Sequence, residues 1–144
     1  MFQSTIFPQQ RVTVVGVLNL TPDSFSDGGR FVCAGADLDL EAAVAEAEAL
    51  VESGAGMLDV GGESTRPGAE EVPGDVEIAR TRPLIEALAK TISVPISIDT
   101  RKAAVAEAAL EAGAAVVNDI SGLRFDPMLA GVTARAGAAI VLGL

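Results

Sequence analysis

Asp59-Val60-Gly61-Gly62-Glu63-Ser64-Thr65-Arg66-Pro67-Gly68 closes a short apolar run, Met57 to Val60, with an acid and then opens into glycines, hydroxyls and a cation. A buried strand ending this way is how parallel α/β sheets bring ligand-binding groups to the C-terminal ends of their strands. An all-α or all-β chain has little use for such a cluster at that place. The pattern recurs along the chain: Asn19 to Gly29 follows a first apolar run, Asp99-Thr100-Arg101-Lys102 a third, and Asn118-Asp119-Ile120-Ser121-Gly122 a fourth.

Working outward, apolar β-branched runs at Val12 to Leu18, Met57 to Val60, Pro95 to Ile98, Ala115 to Val117 and Ala138 to Leu142 alternate with segments of helical period such as Leu40 to Ser53 and Ala103 to Ala112. The order is strand, helix, strand, helix. A weak repeat supports it, because Ser53-Gly54-Ala55, Ala112-Gly113-Ala114 and Ala136-Gly137-Ala138 each end an Ala-rich stretch with a glycine suited to the left-handed position that stops a helix. Helix starts are read at Asp37 and Asp39 before Leu40, at Asp75 before Val76, at Asp99-Thr100 before Arg101 and at Asp126-Pro127. Four β/α units and a fifth strand result, with residues 1–11 as an N-terminal arm and 12–144 as one domain. Right-handed crossovers then leave two architectures, an open doubly wound sheet or part of an eightfold barrel. No Gly-x-Gly-x-x-Gly turn follows the first strand, which argues against dinucleotide binding.

The bulk numbers narrow the function. With 49% apolar and 21% charged residues over 144 positions, the chain is globular, and five Phe without Trp or Tyr leave the core to aliphatic residues. Twenty acids against ten bases give a net charge of −10, which disfavours nucleic acid and anionic membrane as partners. A single cysteine, Cys33, and no histidine exclude an internal disulfide, the usual zinc sites and Cys/His nucleophiles, so Cys33 reads as a loop or packing residue. Neither a basic leader with an apolar segment nor a membrane-length span is present, and a cytoplasmic protein is expected. Yet Arg30, Arg66, Arg101, Lys102 and Arg124 lie in or just after the strand-end loops, so cations gather where the strands end. An anionic or phosphorylated ligand is expected there.

Asn19-Leu20-Thr21-Pro22-Asp23-Ser24-Phe25-Ser26-Asp27-Gly28-Gly29 and Gly61-Gly62-Glu63-Ser64-Thr65-Arg66-Pro67-Gly68 resemble the two signature loops of the dihydropteroate synthases, the folate-pathway enzymes inhibited by sulfonamides. Ser97-Ile98-Asp99-Thr100 and Val117-Asn118-Asp119-Ile120-Ser121-Gly122 resemble the next two motifs of that family, in order and spacing. The resemblance implies a TIM (β/α)8 barrel, of which this chain supplies the first four units and a fifth strand. It also implies condensation of 6-hydroxymethyl-7,8-dihydropterin pyrophosphate with 4-aminobenzoate to 7,8-dihydropteroate and pyrophosphate, with Mg2+ as cofactor and a homodimer at full length. By the same resemblance Asn19 meets magnesium and pyrophosphate, and Asp59, Asp99 and Asn118 form the pterin pocket. Thr65 and Arg66 belong to a second mobile loop near the pyrophosphate, while Asp23, Ser24, Phe25 and Asp27 belong to a first loop closing over the aminobenzoate, hinged at Gly28 and Gly29. Arg101 and Lys102 read as surface charges at a helix start.

Family members run to roughly twice this length, as a complete barrel of about 250 residues requires. The resemblance therefore implies groups these 144 residues do not contain: a His-bearing turn, a later strand-end Asp, a Ser-x-Lys segment and an Arg-x-His. A truncated synthase, inactive alone, is the expectation. A pterin-dependent methyltransferase barrel and a non-catalytic pterin-binding module are the competing readings, and the Asn19 to Gly29 loop disfavours the former.

Overall fold

The computed structural model describes residues 12–22 and 38–144. Five strands, β1 (Val15–Asn19), β2 (Met57–Gly61), β3 (Ile96–Asp99), β4 (Val116–Asp119) and β5 (Ala139–Leu142), alternate with four helices, α1 (Leu40–Glu52), α2 (Gly74–Thr91), α3 (Ala103–Ala112) and α4 (Met128–Arg135). All strand pairs are parallel and the sheet order is β1-β2-β3-β4-β5. That order settles the architecture. A doubly wound sheet reverses direction at a switch point, whereas an uninterrupted sequential order stacks every right-handed crossover on one face, as in a barrel wall.

One face carries the apolar core. Leu18, Leu58, Val60, Ile96, Ile98 and Val117 pack against Ala43 and Ala47 of α1, Leu84, Ile85 and Leu88 of α2, Val105, Ala106 and Ala109 of α3, and Leu129 and Val132 of α4. Alternate residues point to the other, open face, because side chains switch sides along a strand. There the register aligns two rows across the sheet, Val17, Asp59, Ser97, Val116 and Ala139, then Asn19, Gly61, Asp99, Asn118 and Val141. Asp59, Ser97 and Val116 in the first row are buried, but Val17 at its β1 end is 51% exposed, and Val141, the β5 end of the second row, is 39% exposed.

The helix ends follow the chain closely, with instructive departures. Gly54, Gly113 and Gly137 all have positive φ, as expected of stop positions. Asp39 caps α1 by accepting from the Ala42 N–H at 3.1 Å. Asp75 does not cap α2, which begins at Gly74 after Pro73. Asp99 and Thr100 do not cap α3 either: its N-cap is Lys102, and the free N–H of Ala103 is met from another loop by Asp126 Oδ2 at 2.9 Å. The other oxygen of Asp126 accepts from the Met128 N–H at 3.0 Å, so one carboxylate serves two helix starts. The expected arm at 1–11, and Asp23, Ser24, Phe25, Asp27, Gly28, Gly29, Arg30 and Cys33, lie outside the described residues.

Candidate active site

The second row on the open face reads Asn19, Gly61, Asp99, Asn118, so three of the expected site residues lie side by side at the strand ends. Gly61 leaves the floor between them clear. A Cβ at that position would stand 3.6 Å from Asp99 Oδ2 and 3.8 Å from Asn19 Oδ1, so both oxygens lean over it. Asp59 lies one row deeper and accepts from Asn118 Nδ2 at 3.1 Å, reaching diagonally past β3. Its other oxygen is buried without a hydrogen-bond partner, as is the Ser97 hydroxyl beside it. Ser97 nears the carboxyl without a well-aligned bond.

These acids are electrostatically unsettled. Burial pushes Asp59 above the usual carboxylate range, only partly offset by Ser97 and Asn118. Asp99 rises to about 7, first through burial and then through repulsion by Asp59, Glu77, Asp119 and Glu63. No cation answers it on the open face among the bonds the described residues make. Buried polar groups left without partners are expensive, and Glu77 Oε1 and Arg80 Nε share that state away from the open face.

The loop from Ser64 to Glu71 carries Thr65 and Arg66, both exposed. Asn19, Thr21, Ser64, Thr65 and Arg66 line one polar concavity, so the strand-end amide of β1 and the expected anion-binding loop share a rim. The structure thus gathers Asn19, Asp59, Thr65, Arg66, Asp99 and Asn118 at one end of the sheet. Asp119, next to Asn118, faces the other way and is structural: it accepts from Ser121 N, Ser121 Oγ and Leu123 N between 2.7 and 2.8 Å, folding the loop after β4.

Arg101 and Lys102 are not the surface charges expected. The Lys102 side chain is 13% exposed and its Nζ donates to Glu63 Oε2 at 2.7 Å, Glu77 Oε2 at 2.9 Å and the Val72 carbonyl at 2.6 Å. Arg101 donates to Glu63 Oε1 at 2.8 Å and lies over the Phe125 ring, 4.2 Å from its centroid. Two of the cations attributed to an anionic ligand are therefore consumed internally. Burial raises Glu63, but the hydrogen bonds from Lys102 and Arg101 outweigh it and hold the carboxyl below its ordinary value. Burial prevails at Glu77, which remains raised despite Lys102. A signal for this network exists in the chain: Glu77 falls in phase with Thr81, Leu84, Ile85 and Leu88 on the buried stripe of α2, and a carboxylate there needs a partner.

Magnesium can be judged against these groups. No cluster of three or more His, Cys, Asp or Glu side chains able to hold a metal occurs among the described residues. A protein cage is thus not present there, but Asn19 offers one neutral oxygen beside the Thr65 and Arg66 loop, which fits a cation held chiefly by phosphate oxygens and water.

A family described as pterin binding enzyme matches residues 15–144. The chain is 46% identical over 139 residues to the dihydropteroate synthase of Bacillus subtilis, covering 96% of this chain and 47% of that protein. It is 50% identical over 133 residues to that of Synechocystis, covering 92% and 44%. Among solved structures, the Yersinia pestis dihydropteroate synthase in complex with a sulfonamide drug superposes with a TM-score of 0.83 at 43% identity, covering 92% of this chain and 46% of that one. The chain thus spans a little under half the length of these relatives. No described helix is long and apolar enough to cross a membrane. With its strand-end motifs, its barrel-type sheet order and a match across nearly its whole length, this chain belongs to the pterin-binding enzyme family.

Proposed function

We propose that this chain forms the pterin-binding part of a dihydropteroate synthase, which joins 6-hydroxymethyl-7,8-dihydropterin pyrophosphate to 4-aminobenzoate. The observation that carries the reading is the row Asn19, Gly61, Asp99, Asn118, with Asp59 beneath it and a family match over residues 15–144. The aromatic amine forms a C–N bond to the pterin methylene, the C–O bond to pyrophosphate breaks, and the amine gives up a proton.

Each side chain has a task in that step. Asp99 accepts the paired N–H groups of the aminopyrimidinone edge, and the Asn118 amide accepts and donates beside it. Asp59 holds that amide in orientation through Nδ2, and its negative charge favours the positive character the methylene acquires as pyrophosphate departs. Thr65 and Arg66 receive the pyrophosphate at the rim, next to Asn19. Magnesium, held by Asn19 and substrate oxygens, would neutralise leaving-group charge. Asp23, Ser24 and Phe25, outside the described residues, are assigned to the aminobenzoate by the same reading. A homodimeric, cytoplasmic full-length enzyme belongs to the same reading.

Titration calorimetry of the 144-residue chain with the pterin pyrophosphate tests it. Binding that Asp99→Asn loses supports the proposal, and absence of binding by the unsubstituted chain refutes it. Turnover is expected only when the rest of the barrel is supplied, so dihydropteroate formed by these 144 residues alone would overturn that part.

A further inference from the structure

The loop from Ser64 to Glu71 begins and ends on the same ammonium group. Glu63 immediately precedes it and Val72 immediately follows, and Lys102 Nζ bonds to the Glu63 carboxylate at 2.7 Å and the Val72 carbonyl at 2.6 Å. Glu63 Oε2 also accepts from the Val72 N–H at 2.8 Å, closing the base a second time. The third Lys102 proton goes to Glu77 at 2.9 Å, anchoring the base to α2. An ammonium has three donors, and here three acceptors meet them. Lys102 itself sits three residues beyond Asp99, so the staple ties the loop bearing Thr65 and Arg66 to the strand bearing the central acid.

We propose that Lys102 is a positioning residue: it clamps the base of the Ser64–Glu71 loop so that Thr65 and Arg66 stand over the Asn19 to Asp99 row, setting the affinity for the phosphorylated end of the ligand. The inference rests on the reading above for the ligand, but not for the clamp. Glu70 and Glu71 make the two separable, since every other glutamate is in a helix except buried Glu63. A glutamate-specific protease therefore reports opening of this loop directly.

The test compares the unsubstituted 144-residue chain with Lys102→Met and Lys102→Arg. Cleavage after Glu70 or Glu71 should accelerate roughly tenfold or more in Lys102→Met while the helical circular dichroism is kept, because proteolysis follows the population of the locally open form. Affinity for the pterin pyrophosphate should fall by roughly tenfold through lost preorganisation, with affinity for the dephosphorylated pterin unchanged. Lys102→Arg, which keeps the charge but not the three-donor geometry, should recover part of both. Unchanged cleavage in a folded Lys102→Met chain overturns the clamp, and unchanged affinity with a freed loop overturns the positioning role. Should Lys102→Met not fold, Glu63→Gln decides, and a loop as protected as in the unsubstituted chain then defeats the proposal. Faster cleavage in a chain that never binds the pterin pyrophosphate would leave the clamp standing and remove the assigned ligand.

Discussion

Asp59 and Asp99 on the open face, and Glu63 and Glu77 behind the rim, are four buried or half-buried carboxylates within one neighbourhood; the glutamates meet cations, although burial still raises Glu77 and leaves its Oε1 without a partner. Glu63 and Glu77 share the Lys102 ammonium, Glu63 alone also takes the Arg101 guanidinium, and their side chains are 7% and 1% exposed. Among the described residues Asp59 has the Asn118 amide and a nearby Ser97 hydroxyl, Asp99 shows no cationic partner, and burial raises both. Charges that a protein neutralises with its own residues hold structure together. Charges left uncompensated on an accessible face are costly to keep, and a ligand carrying the complementary donors removes the cost.

The largest expected effect comes from breaking the satisfied pair. Lys102→Met should cost about 3 to 5 kcal/mol in urea denaturation at pH 7, because removal of one partner strands a buried charge. A loss below about 1 kcal/mol, the value of an exposed pair, would erase the contrast between the two regions.

Next comes the unsatisfied pair, where substitution should help. Asp99 titrates near 7 in the folded chain against 3.8 as its ordinary value, so between those pH values the folded state keeps a proton that the unfolded state has released. The contribution of Asp99 to stability therefore falls as pH rises from about 4 through 7 and levels off above. Asp99→Asn removes that loss and should stabilise the chain by on the order of 2 kcal/mol at pH 8, with no gain below pH 4. A variant less stable than the parent at pH 8 would contradict the account.

The same proton controls ligand binding in the proposed role. A carboxylate accepting two N–H bonds must be ionised, so pterin affinity measured by calorimetry should rise with pH through about 7 and then flatten. Affinity independent of pH between 5 and 8 would remove Asp99 from the pterin edge.

The smallest effect links the two regions. Glu77 is among the acids that raise Asp99, after burial and Asp59, so Glu77→Gln should lower the Asp99 pKa slightly, by a few tenths at an effective dielectric of about 20. Carbon-13 titration of the Asp99 carboxyl measures it. An unmoved carboxyl would mean that the two clusters do not feel each other.

Much of this was legible along the chain. Ala103 to Ala112 is α3 to the residue, and Gly54, Gly113 and Gly137 stop helices as read, because periodicity and positive φ are local properties. Asn19, Asp59, Asp99 and Asn118 were readable as strand-end residues, and equal phase along parallel strands set three of them in one row. Lys102 departs from the surface charge its sequence position suggests, for an equally physical reason. Its partners Glu63 and Glu77 lie 39 and 25 residues away, and no local window distinguishes a charge capping a helix from one threading between two loops.

The alternation of strand and helix, the stop positions and the polar strand ends were thus determined by the sequence itself, since each depends on backbone preference and side-chain period within a few residues. Tertiary structure alone decided that the sheet runs β1 to β5 without reversal, that Asp126 caps a helix it does not begin, and that Glu63 is paired with Arg101 and Lys102 while Asp99 is raised by burial and by neighbouring acids. Those outcomes depend on desolvation and on distances between residues far apart in the chain, which exist only once the strands have been laid side by side.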